Sequence, residues 1–199
     1  MPQYKLMDRF GNELSHGDLQ KKLQWCKDGE QLEHEFLHLF GSRFGLRLNE
    51  QKHKDPTVPD FIHTASDRYV DLKTQNTPFF NARRYGVEPQ FAVTLNKIDV
   101  DRYTRLYPGL IILYHVNWLA VKLLKPDGSF IEVSPMEGIW AASIRHIPAL
   151  CRRNNLHSYL QRKADQSGNA KDSYVLDLRN PVFRAFSVTD TLARIAGDT

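Results

Sequence analysis

Apolar residues recur at helical spacing twice near the start of the chain. Gly17-Asp18 opens one stretch through Leu19, Leu23 and Cys26, which Asp28-Gly29 is expected to interrupt. A second helix follows, with Asp28 as its cap and Gln31 in the capping-box position. In it Leu32, Phe36, Leu37, Leu39 and Phe40 repeat before Gly41. The pattern then becomes strand-like at Leu46-Arg47-Leu48, at Pro59-Asp60-Phe61-Ile62 and from Tyr69 to Gln75, with turns over 52–57 and 65–67. Gln90 to Leu95 reads as a strand, Val100 to Leu106 as a short helix stopped by Pro108-Gly109, and Leu110 to Val116 as a buried strand.

The later part predicts two strands, 119–124 and 130–133, around the hairpin turn Lys125-Pro126-Asp127-Gly128-Ser129. A helix is expected from about Met136 to about Lys163, interrupted at Pro148. A polar, Gly-containing stretch at 166–173 is expected to be mobile, and Tyr174 to Leu178 reads as a late strand. No repeat or low-complexity tract appears. Helix, then strands, then strand, helix and strand make a mixed α/β arrangement.

The 199 residues are 41% hydrophobic and 25% charged, as in an ordinary globular domain. Runs such as Leu110 to Leu113 fall far short of the ~20 apolar residues of a membrane span. No signal peptide is read at Met1 to Asp8, and two cysteines, Cys26 and Cys151, make no disulfide framework. A cytoplasmic protein without a membrane partner is therefore expected.

Twenty-seven Lys and Arg against 23 Asp and Glu leave a net charge of +4. Its distribution says more than its size. The stretch 138–164 holds Arg145, Arg152, Arg153, Arg162 and Lys163 and no acid, so the rest is close to neutral. This segment reads either as a phosphate-facing surface or as a solvated helix face.

Along the 69–75 strand Asp71, Lys73 and Gln75 share one face, while Val70, Leu72 and Thr74 share the other. Charges on a core strand are costly unless paired or bound to metal. The preceding helix supplies a further acid. With Leu32 at 0° and about 100° per residue, its apolar arc runs from about −20° to 140° and Glu33 falls at about 100°. Glu33 should then point toward the sheet. Three acids, Glu33, Asp60 and Asp71, converging there with Lys73 would make an oxygen-ligand site suited to Mg²⁺ or Mn²⁺.

The run Gly29-Glu30-Gln31-Leu32-Glu33-His34-Glu35-Phe36, followed by Pro59-Asp60 and by Asp71-Leu72-Lys73 with Gln75, resembles the PD-(D/E)XK nuclease superfamily. Many restriction enzymes, junction resolvases and repair or phage nucleases belong to that group. The resemblance covers about 17–116 and implies a restriction-endonuclease-like α-β-β-β-α-β core, a mixed sheet flanked by helices. It implies one domain over 1–199, with 117–199 as a hairpin and a basic helical C-terminal elaboration. By the resemblance, Asp60 and Asp71 hold Mg²⁺ (or Mn²⁺) with help from Glu33, Lys73 orients the attacking water and stabilises developing charge, and Gln75 is auxiliary. The implied activity is endonucleolytic hydrolysis of nucleic acid, DNA rather than RNA, and a homodimer is compatible with it. Arg83, Arg84, Arg145, Arg152 and Arg153 would hold the phosphate backbone, with Phe79-Phe80 supporting strand or base contacts. The alternative is a non-catalytic nucleic-acid-binding module on the same fold.

A rival motif lies on the same helix. His34-Glu35-Phe36-Leu37-His38 is a literal HExxH, the zinc-peptidase pattern, extended by Gly41. Phe44 stands where the longer form of that motif has its third histidine. His34 and His38 fall at about 200° and 240°, outside the apolar arc, as solvated residues would. His63, His115 and Cys26 read as structural residues.

Overall fold

The computed structural model describes residues 4–14, 22–158 and 172–186. In chain order the elements are β1 (Lys5–Met7), β2 (Glu13–Leu14), α1 (Lys22–Phe44), β3 (Leu46–Leu48), β4 (Phe61–His63), β5 (Tyr69–Gln75), β6 (Ala92–Asn96) and α2 (Lys97–Leu106). They continue with β7 (Ile111–Asn117), β8 (Lys122–Leu124), β9 (Phe130–Glu132), β10 (Glu137–Ser143), β11 (Leu156–His157), β12 (Ser173–Asp177) and β13 (Arg184–Phe186). The protein is mixed α/β, as the order of patterns predicts.

The principal sheet has six strands in the order β13-β10-β7-β5-β4-β3. Strands β3, β4 and β5 form an antiparallel meander, and α2 lies in the crossover that brings β7 parallel to β5. β7 lies inside the sheet with both faces covered, which explains its nearly unbroken apolar run. On one face, Phe36 and Phe44 of α1 pack with Phe61, Val70, Leu72 and Leu113. On the other, Val100 and Tyr103 of α2 pack with Ile112, Tyr114, Val93 and Leu176. The latter two belong to a three-stranded sheet, β11-β12-β6; a four-stranded sheet, β2-β1-β8-β9, completes the described residues.

Two pairings position the site. The β5–β7 ladder runs over six residues, Val70 to Gln75, whereas the β4–β5 ladder holds only Phe61 with Val70 and Ile62 with Tyr69. Strand β5 therefore loses its β4 neighbour just where Asp71 begins.

Several expectations are corrected. Asp28-Gly29 does not interrupt a helix, because α1 runs unbroken from Lys22 to Phe44. An Asp and a Gly inside a helix cost only about 0.5–1 kcal/mol each, and packing of the Phe36–Phe44 seam on the sheet offsets that. The expected start at Gly17-Asp18 lies outside the described residues.

The expected helix from Met136 is instead β10, paired over seven residues with β7 and over three with β13. Ile139 and Ala141 enter the α1-side core while Ala142 enters the opposite one, the period of a strand. Without β10 the buried backbone groups along that edge of β7 would have no partners. Beyond it, the described chain forms two 3₁₀ turns, 147–150 and 153–155, with Pro148 in the first. Among the described residues the C-terminal part is thus strands and short turns rather than a helical elaboration, since β10 and β13 belong to the main sheet. Arg162, Lys163 and most of the polar 166–173 stretch lie outside the described residues. Among the described residues no helix is long and apolar enough to cross a membrane.

Candidate active site

Extending the Phe61–Val70 pairing by one residue sets Asp60 beside Asp71 at the point where β4 and β5 part. Both are buried, at 6% and 2% exposure. Asp60 Oδ2 accepts the backbone N–H of Leu72 at 2.7 Å, so its carboxylate occupies the place a strand carbonyl would take. Asp71 Oδ1 accepts from the Tyr103 hydroxyl at 2.7 Å. Its Oδ2 lies 2.7 Å from Lys73 Nζ, an ionic contact whose angles do not make it a hydrogen bond.

Lys73 also reaches Asp99 Oδ2 at 3.1 Å, and Arg102 holds the other oxygen of Asp99 at 2.8 Å. Asp99, Arg102 and Tyr103 stand on one face of α2 by their i, i+3, i+4 spacing. That face lies over Asp71 and Lys73. Gln75, on the same face of β5, is turned to β6, where its Nε2 donates to Thr94 O at 3.0 Å. The structure thus gives Gln75 a sheet-to-sheet contact.

Glu33 does point toward the sheet, but it meets Asp60 through a residue the sequence did not single out. Lys52 Nζ lies 2.5 Å from Glu33 Oε1 and also bonds Asp60 Oδ1. The site is two linked clusters, Glu33–Lys52–Asp60 and Asp71–Lys73–Asp99–Arg102 with Tyr103.

The electrostatics follow from burial and neighbours. Burial pushes the Asp71 carboxyl up to about 6, Lys73 opposes that and the charge of Asp60 adds to it. Asp60 is raised by burial and by Glu33, against the pull of Lys52 and Lys73. For Lys73, burial disfavours the charge, but Asp71, Tyr103, Asp99 and Asp60 outweigh it and hold the ammonium well above its ordinary value. Lys52 is likewise raised, Asp60 and Glu33 prevailing over burial. Burial thus raises the proton affinity of both carboxylates even with a lysine in contact with each.

Among the described residues, no group of three His, Cys, Asp or Glu side chains gathers as a metal site. Asp60 and Asp71 nevertheless suit Mg²⁺, which is ordinarily held by one or two carboxylates while water and substrate oxygens complete its shell. Asp71 Oδ2, buried without a directed hydrogen bond, fits that use. Glu33 does not join the pair directly, because Lys52 stands between it and Asp60.

The HExxH residues fare differently. His34 and His38 are exposed on α1, Glu35 accepts from Gln31 Nε2 at 2.8 Å, and Phe44 is 1% exposed in the core. The described residues bring no third ligand to the two histidines.

Arg83, Arg84, Arg145, Arg152 and Arg153 are all exposed. Arg83 and Arg84 stand on a 3₁₀ turn, 82–85, and Arg83 forks onto Glu88 Oε2 at 3.1 and 3.0 Å. Arg145 Nε donates to Pro108 O at 3.2 Å. Arg152 and Arg153 lie on the later turn, and a 2.7 Å hydrogen bond between Tyr85 OH and His157 Nδ1 ties that segment to the Arg83-Arg84 turn. A cavity of about 370 Å³ beside this junction is lined by Tyr85, Arg152 and Asn154. The structure does not leave Phe79 and Phe80 free for bases. Phe80 is buried in the main core, and Phe79 packs on Tyr85 and His157.

Lys52, Asp99, Arg102 and Tyr103 went unread in the sequence. The α2 trio carried a signal in its helical spacing. Nothing distinguished Lys52 from its neighbour Lys54. Comparisons of the chain with family models, with curated proteins and with solved structures give no match.

Proposed function

We propose that the chain is a metal-dependent nuclease of the PD-(D/E)XK type that hydrolyses phosphodiester bonds, DNA being the favoured substrate. The observation that carries the reading is the meeting of Asp60 and Asp71 where β4 leaves β5, with Lys73 on the same strand face as Asp71. The order α1, β3, β4, β5, α2, β7, with β7 parallel to β5, supports it as the α-β-β-β-α-β core that the resemblance implies; β6 pairs into another sheet.

Asp60 and Asp71 would hold Mg²⁺ or Mn²⁺. When bound, such an ion supplies Lewis-acid polarisation of the phosphodiester and activation of water. A water oxygen would bond to phosphorus and release its proton to solvent as the bond from phosphorus to the leaving sugar oxygen breaks, that oxygen taking a proton from solvent. Lys73, with three N–H donors and two carboxylate partners, keeps a donor to orient that water and offset charge on the phosphoryl oxygens. Asp99 and Arg102 position Lys73, and Tyr103 positions Asp71. Arg84, Arg145, Arg152 and Arg153 are exposed and would meet the phosphate backbone, while Arg83 shares its charge with Glu88.

A second reading keeps the fold as a non-catalytic nucleic-acid-binding module. What favours it is that Lys52 and Lys73 already neutralise the acids. Incubating the protein with single-stranded, double-stranded and branched DNA and with RNA, with and without Mg²⁺ or Mn²⁺, separates the two. The nuclease predicts metal-dependent cleavage that Asp71→Asn abolishes while the protein stays folded. Binding without cleavage on every substrate selects the module.

A further inference from the structure

The turn between β3 and β4 is built around one side chain. Asn49, buried at 3% exposure, bonds Gln51 N through its side-chain oxygen at 3.2 Å and donates through Nδ2 to Pro59 O at 2.8 Å. Its backbone N–H donates to Asp60 O at 2.9 Å. The 3₁₀ turn Glu50–His53 is thereby fastened to the residue whose carboxylate Lys52 grips. Lys52 reaches Glu33 on α1 from the same fixed turn, and its side chain is only 20% exposed.

A lysine held in this way is a permanent charge at a fixed place between two carboxylates from different elements. Asp60 belongs to the Lys52 cluster and stands beside Asp71 of the other, and a second ion bridging Glu33 and Asp60 would have to stand where the ammonium stands. Two-ion sites that cleave phosphodiesters place the ions roughly 3.5–4 Å apart.

We propose that Lys52 is a resident cation that takes the place of a second divalent ion, so that the site works with one metal, held at Asp60 and Asp71. The inference rests on the nuclease reading. It gives Glu33 the task of holding Lys52 rather than a metal. Of the three N–H groups of Lys52, two serve Glu33 and Asp60, and the third remains for an oxygen of the scissile phosphate. Lys52 is therefore a positioning and charge-supplying residue whose effect is legible without turnover, in the number of ions the protein binds.

The test counts Mn²⁺ bound per chain, by electron paramagnetic resonance of free Mn²⁺ and by calorimetry, in the wild type and in Lys52→Met, Lys52→Arg and Asp71→Asn. The expected counts are one ion for the wild type and for Lys52→Arg, two for Lys52→Met, and loss of the tight ion in Asp71→Asn. One ion of unchanged affinity in Lys52→Met, or two ions in the wild type, overturns the inference and leaves the nuclease reading standing. No ion in the wild type overturns both. If Lys52→Met is unfolded without metal, the proposal requires Mn²⁺ to restore its circular dichroism and thermal transition, and failure of that rescue also overturns it.

Discussion

The hydroxyl of Tyr103 on α2 donates to Oδ1 of Asp71 on the central strand, a 2.7 Å bond between helix and sheet at the centre of the candidate site. The same hydroxyl oxygen accepts from Arg102 at 3.1 Å. Burial and the carboxylate of Asp71 both push the phenol's titration upward, so it remains a donor at any working pH. Tyr103→Phe would leave a buried carboxylate oxygen and a guanidinium short of a partner. A hydrogen bond to a charged group is worth about 1.5–3 kcal/mol, and a loss of about 2 kcal/mol is expected in urea unfolding.

Asp99 touches Lys73 and Arg102 but not Asp71, which makes it a test of positioning. Asp99→Asn should lower kcat roughly 10- to 100-fold, the range for residues that orient a site's principal groups, with a smaller change in KM. A variant with full kcat would remove α2 from the mechanism.

Gly45 joins α1 to β3 with φ of +60°, and a Cβ there would sit 3.3 Å from Thr64 Oγ1 and 3.4 Å from the His63 ring. Its carbonyl accepts the Thr64 N–H at 2.7 Å. Gly45→Ala should cost about 1–2 kcal/mol from the left-handed backbone alone, seen as a lower melting temperature.

His115 is packed against the rings of Phe36 and Phe40, with centroids 5.4 and 5.7 Å away. Burial lowers its pKa below the unfolded value of about 6.5, against a weaker pull from Glu137. A group held neutral in this way contributes stability that is complete above 6.5 and is lost as the pH falls toward the folded value. His115→Leu should therefore gain on the wild type as the pH drops from 7.5 to 5.5. Asp60 and Asp71, raised in the folded protein, act in the opposite direction in both proteins and cancel in the difference. Parallel unfolding curves at the two pH values would refute the assignment.

For the arginine surface, replacing Arg84, Arg152 and Arg153 by Ala should weaken DNA binding and flatten the slope of log affinity against log salt by about 0.9 for each phosphate no longer neutralised. Arg83→Ala should change it less, because Glu88 already holds that side chain. An unchanged slope in the triple variant would return these residues to ordinary solvated surface.

The strands that carry the site were legible because their patterns admit one reading. β5 alternates charge with apolar residues, and β7 opens on the unbroken apolar run Ile111 to Tyr114. β10 was misread because Ile139-Trp140-Ala141-Ala142 satisfies a helix or a buried strand equally, and the open edge of β7 decided between them. On α1 the wheel placed Glu33 correctly but drew the apolar arc too wide. Leu32 and Leu39 are 38% and 65% exposed, and the buried face centres on Glu33 itself, flanked by Phe36, Phe40 and Phe44. Lys52 was illegible for a different reason. Its place comes from Asn49 and a turn, and turns carry no periodicity.

The carboxylate of Asp60 has a second duty beyond any chemistry. Where β4 departs, it covers the Leu72 amide that would otherwise lie along an unpaired strand edge. Open edges recruit other chains. Asp60→Ala would therefore bare a backbone donor beside a strand already satisfied on its far side, and self-association would accompany any loss of activity. Asp71→Asn keeps that edge closed, so its inactivity would be free of that self-association.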